Sequence, residues 1–193
     1  AKGDGGAAGG GGAVGGGGAE PVHSASVLAS TFEPPEKRSV EQAVASLVVL
    51  GALRTGADGC GETLTPLGRR LARLPTEPRL GKALLCAHAL GCLEPAAVMI
   101  AAHEAAHDAF GRRSVESGAA KRALDKTSCH LALLRAHSEW RAARTADTRE
   151  AIARDRGMSG AVLRELTRAS AQLVGSVTDV FERGGDKGGG GVS

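Results

Sequence analysis

Apolar residues recur every three or four positions over much of the chain between residues 39 and 181, the spacing that gathers them on one side of a helix. Val40, Ala43, Val44, Leu47 and Val48 form the first such stripe. Ser39 and Gln42 make a capping box ahead of it and Gly51 ends it, which predicts a helix over about 39–50. The period then breaks. Ala52-Leu53-Arg54 and Glu62-Thr63-Leu64 flank Gly56-Ala57-Asp58-Gly59-Cys60-Gly61, a run of turn formers, and together they predict a short β-hairpin. Thr65-Pro66 then offers an N-cap and a first-turn proline to a helix carrying Leu67, Leu71 and Leu74, with Pro75 closing it.

Past Pro78 the helical period dominates. Leu80, Leu84, Ala87 and Leu90 stripe one helix up to Gly91, and Pro95 opens another through Val98, Met99 and Ile100 towards Phe110. Ser128 is placed to cap a helix bearing Leu131, Leu134 and Trp140. Ser159 is placed to cap a long last one bearing Leu163, Leu166, Leu173, Val174, Val177 and Phe181. The expected fold class is therefore mainly α: a winged-helix-like unit with a small β-hairpin over residues 20–75, then a helical bundle over 76–183. Residues 1–19 and 184–193 are so rich in glycine that they cannot bury enough apolar surface to offset their ordering entropy, and both are expected to be disordered tails.

Composition agrees with helices. The chain has three Phe, one Trp and no Tyr, whereas strands favour aromatic and β-branched residues. Cys60, Cys86, Cys92 and Cys129 form no CxxC pair, so reduced thiols of an intracellular protein are expected rather than a disulfide framework. No apolar run reaches the roughly 18 residues of a membrane span. The net charge of +3 is small, but thirteen Lys or Arg against seven Asp or Glu lie between Arg112 and Arg168, so the second half carries the positive charge. Solvated arginines on amphipathic helices would give the same count.

The order of landmarks is more specific than any single one. Phe32-Glu33-Pro34-Pro35, Leu50-Gly51-Ala52-Leu53, Leu64-Thr65-Pro66-Leu67-Gly68, Leu74-Pro75-Thr76-Glu77-Pro78-Arg79-Leu80 and Leu90-Gly91-Cys92-Leu93-Glu94 follow one another. Ser128-Cys129-His130-Leu131-Ala132-Leu133-Leu134, Trp140 and Arg156-Gly157-Met158-Ser159 come after them. This succession resembles the helicase-associated region of DEAH-box ATP-dependent RNA helicases over residues 25–182. Cys129 stands where that family usually has Asp, and Gly111 to Ala119 lacks the family's proline-bearing link.

The resemblance implies a winged-helix domain and a helical ratchet domain that pack against two RecA-like motor domains and line a channel for single-stranded RNA. It implies ATP and Mg in the motor. The chain itself contains no GxxxxGK[ST] phosphate loop, so alone it is not expected to hydrolyse ATP, and it is expected to be a fragment that starts at Ala1. The RNA-facing candidates are Lys121, Arg122, Lys126, Ser128, His130 and Arg135: cations for phosphates, and an imidazole or a guanidinium plane on which a base can rest. For Ser128, capping its own helix is the competing role.

Two other readings remain open on the residues. His103-Glu104-Ala105-Ala106-His107 matches H-E-x-x-H, in which two histidines one helical turn apart bind zinc and the glutamate acts as general base; a zinc-dependent hydrolase would follow. A third ligand is hard to find, because Asp108 directly follows a ligand histidine and Glu116 is the only other near acid. A winged helix can equally serve as a protein-interaction module.

Overall fold

Residues 23–56, 61–104, 123 and 125–182 are described by the computed structural model. The chain divides into two units, Ala1–Gly68 and Arg69–Ser193.

The first unit opens with α1 (Ser24–Ala29), a six-residue helix that the apolar pattern does not announce. It is tied locally: the Ser24 N–H and hydroxyl both donate to Glu62 Oε2, at 2.9 and 3.0 Å. Helix α2 (Lys37–Leu50) begins two residues before the expected capping box. Pro34 and Pro35 keep the chain extended, and the helix starts as soon as they are passed, with the Glu36 carbonyl accepting from the Ser39 and Val40 N–H groups. Ser39 thus lies inside the first turn instead of capping it. At the other end Gly51 takes a left-handed φ of 84°, as its position in the pattern requires.

Strands β1 (Leu53–Thr55) and β2 (Glu62–Leu64) form the expected antiparallel hairpin, with Leu53 opposite Leu64 and Thr55 opposite Glu62. The next turn is held by Thr65. Its Oγ1 donates to the Gly51 carbonyl at 2.6 Å and accepts from the Gly68 N–H at 2.9 Å, so one hydroxyl caps α3 (Pro66–Leu71) and ties it to the end of α2. α3 is a turn shorter than expected, although Leu71 and Leu74 are both buried.

The second unit is built around α5 (Leu93–Glu104), which is apolar around most of its circumference and buries Ala97, Val98, Ile100 and Ala101. Helix α4 (Pro78–Ala89), which buries Leu84 and Leu85, packs on it. So do α6 (Cys129–Ala142) and, most extensively, α8 (Gly160–Glu182). Helix α7 (Ala146–Asp155), capped by the Thr145 hydroxyl on the Thr148 N–H, links α6 and α8 and was not expected from the pattern.

Some expected core positions shift. Leu90 is 79 % and Leu131 45 % exposed, while α6 instead buries Ala132, Leu133, Ala136, His137 and Trp140. The helix is turned so that this mixed face of small and large residues, rather than Leu131, goes inside. In α8 the buried set is Leu163, Leu166, Ser170, Leu173, Val177 and Val180, a strict three-four repeat that includes a serine and leaves Phe181 half-exposed.

Candidate nucleic-acid interface

The segment leading into α6 is organised by Asp125. Its Oδ1 accepts from the Thr127 N–H at 2.9 Å, the Thr127 hydroxyl at 2.9 Å and the Ser128 N–H at 2.8 Å. A short acidic side chain folding back on the backbone donors two and three residues ahead makes a turn, and this turn aims Ser128 at the helix. The Ser128 hydroxyl accepts the Leu131 N–H at 3.3 Å and so caps α6. These donors, the Thr127 N–H first among them, hold the Asp125 carboxyl below the ordinary carboxylate range. Its Oδ2 lies 3.5 Å from Arg135 Nη1, with the arginine side chain 60 % exposed and the aspartate almost covered.

Four of the six candidate residues are thereby placed. Lys126 and Ser128 sit in the turn, His130 in the first turn of α6, and Arg135 is joined back to the turn through Asp125. Lys126, His130 and Arg135 are exposed. Ser128 uses its hydroxyl as the helix cap. Cys129, also exposed, places its sulfur 3.7 Å from His130 Nδ1. Lys121 and Arg122 lie outside the described residues.

Further along α6, His137 is 3 % exposed. Its Nε2 lies 2.9 Å from Thr167 Oγ1, and the Thr167 hydroxyl hydrogen is already given to the Leu163 carbonyl at 2.8 Å. The threonine oxygen must therefore accept, which fixes the neutral imidazole as the Nε2–H tautomer. Burial, and then the Arg141 cation, push the His137 pKa below its usual value. Beside it, between α5 and α6, lies a groove of about 480 Å³ whose walls include Glu94, Val98, Leu134, Ser138 and Arg141. Sequence pattern had singled out none of these as a site. Glu94 and Arg141 are widely separated in the chain, and only the packing of α6 on α5 brings them together.

The H-E-x-x-H string fares differently. His103 and Glu104 end α5, and Glu104 Oε1 accepts a hydrogen bond from the Thr76 hydroxyl, while His107 lies outside the described residues. Among the described residues no three metal-binding side chains are grouped to hold an ion. Nor is any helix among them long and apolar enough to cross a membrane.

A helix-hairpin-helix unit followed by a bundle with a long last helix defines the class: a winged helix joined to a ratchet-like helical domain. Comparison with known families agrees. Residues 43–76 match the winged-helix part of the helicase associated domain (HA2), and residues 77–160 match its ratchet-like part. The chain belongs to this helicase-associated family. It is 34% identical over 160 residues to the DExH-box ATP-dependent RNA helicase DExH1 of Arabidopsis thaliana, covering 80% of this chain and 16% of that protein. It is 31% identical over 166 residues to the putative ATP-dependent RNA helicase DHX57 of Homo sapiens, covering 83% and 12%. Over 70 residues it is 40% identical to the ATP-dependent RNA helicase HrpA of Escherichia coli, 36% of this chain and 5% of that one. The chain thus spans a sixth or less of the length of these relatives. The ratchet match runs through α5 and accounts for the helix that carries His103 and Glu104, so the zinc-hydrolase reading has no support.

Proposed function

We propose that this chain is the RNA-binding accessory region of an ATP-dependent RNA helicase, with a winged-helix module over 20–75 and a ratchet module over 76–183. The observation that carries the reading is the ratchet-family match over 77–160, which contains every candidate cation from Lys121 to Arg135. On this reading ATP and Mg belong to RecA-like motor domains. No residue pattern here would hold a nucleotide's phosphates, so the chain contributes contacts to the strand and to the motor but no hydrolysis.

The α6 entrance would grip the strand by its phosphates. Lys126 offers a mobile point charge, and Arg135 exchanges its Asp125 partner for a phosphate oxygen. His130 supports a base plane beside them. Single substitutions Lys126→Ala and Arg135→Ala should each weaken single-stranded RNA binding to a similar degree for all sequences. Each should also reduce the steepness of its salt dependence by roughly 0.7 per lost phosphate contact. Unchanged affinity and slope in both variants, with helix content intact by circular dichroism, would remove α6 from the interface.

A further inference from the structure

The groove between α5 and α6 has a composition suited to one flat heteroaromatic ring. Val98 and Leu134 give it an apolar floor, while Glu94, Ser138 and Arg141 bring a carboxylate, a hydroxyl and a guanidinium to the same space of about 480 Å³. Glu94, Ser138 and Arg141 are exposed, so they can meet a ligand without rearranging the core. Beneath them His137 is held rigid by its bond to Thr167, so the wall does not give way. Leu131, Arg135, Ser138 and Ala142 follow one another at three- and four-residue steps on the outer face of α6, so the groove continues the surface that begins at the Asp125 turn.

An anion alone would be repelled by Glu94, and a cation alone by Arg141. A ligand that presents donors along one edge and acceptors along another satisfies both. Guanine does this: its N1–H and N2–H groups face a carboxylate, and its O6 and N7 face a guanidinium or a hydroxyl. Adenine has no N1–H, and uracil has no amino group to give to the carboxylate.

We propose that this groove is a guanine-reading subsite, which takes one unstacked guanine from a single strand whose phosphates run past the start of α6. This rests on the RNA-binding reading above and adds a base preference to it.

The test compares two single-stranded RNAs of about ten nucleotides, one all uridine and one with a single central guanosine, by fluorescence anisotropy with the full chain. The guanosine strand is expected to bind about tenfold more tightly. Glu94→Gln removes the anionic acceptor and Ser138→Leu fills the groove from an exposed position. Either variant should abolish the preference, so that the guanosine and uridine strands bind equally. Equal, salt-sensitive binding of both strands by the unaltered chain would overturn the subsite and leave the RNA interface standing. Absence of binding by either strand at low salt would overturn the RNA reading and the subsite with it.

Discussion

Gly68 shows how much a single position can be asked to do. A glycine within a helix is worse than alanine by roughly 1 kcal/mol, so its presence in α3 calls for a reason. A Cβ at Gly68 would run into the Ala52 carbonyl oxygen, the same oxygen that accepts the Thr65 N–H at 3.0 Å. The obstacle is backbone and cannot swing aside. Gly68→Ala should therefore destabilise the winged-helix unit by about 1–3 kcal/mol, where helix propensity alone would make it stabilising; chemical denaturation of the variant decides between the two. The resemblance over Leu64 to Gly68 is accordingly a packing signature, and it was legible as a motif before its cause was visible.

His137 is a residue of the opposite kind, part of no sequence motif and buried in the fold. Because its folded-state pKa lies below 6.5, the unfolded chain binds the proton first as pH falls. The stability it contributes is complete above about 6.5 and is drawn down as pH drops from there through the lowered folded value. Thermal melts from pH 8 to pH 5 should show the melting temperature falling across that window, and His137→Gln should flatten the fall. Asp125 and Glu62, both held below the carboxylate range mainly by backbone N–H donors, act in a separate and more acid window. Their contribution is present above the ordinary carboxylate pKa and is lost as pH falls through their lowered values.

At the scale of elements, α8 tests how far periodicity reaches. Its buried positions repeat at three and four residues from Leu163 to Val180, the seam of one helix laid along another, and it packs chiefly on α5. Leu163, Leu166, Leu173 and Val177 were readable from this spacing. Ser170 was not, because a hydroxyl in an apolar stripe looks like an interruption. The helix satisfies it internally: Ser170 Oγ donates to the Thr167 carbonyl at 3.1 Å. Leu173→Ala should then cost about 2–5 kcal/mol, while Ser170→Ala should change stability by less than about 1 kcal/mol, since it leaves no partner unpaired. Comparable losses for the two in urea unfolding would mean that Ser170 does more than fill space. Helices α1 and α7 escaped the pattern for a different reason. α1 is only six residues long and buries no side chain, and α7 is polar with Ala153 its one buried residue. Neither leaves a stripe to read.

Over the whole molecule, the pattern of helix, hairpin, helix and bundle was visible in the residues, and family comparison bears out both the fold class and the helicase-associated role. The candidate interface is legible only in part. Ser128 was readable as a cap and proves to be one, whereas the pairing of Asp125 with Arg135 depends on a turn that no spacing rule encodes. The groove of Glu94, Ser138 and Arg141 was hidden for the same reason, being assembled from two helices far apart in sequence.

The proposed role requires contact with single-stranded RNA through phosphates. The measurement that tests it most directly is the affinity of the purified chain for a short labelled single-stranded RNA, followed from about 50 to 200 mM salt. Binding is expected at low salt, with log affinity falling linearly against log salt at a slope of about −1.4 for the two phosphates held by Lys126 and Arg135. Affinity that does not respond to salt, or no binding at the lowest salt, would contradict it.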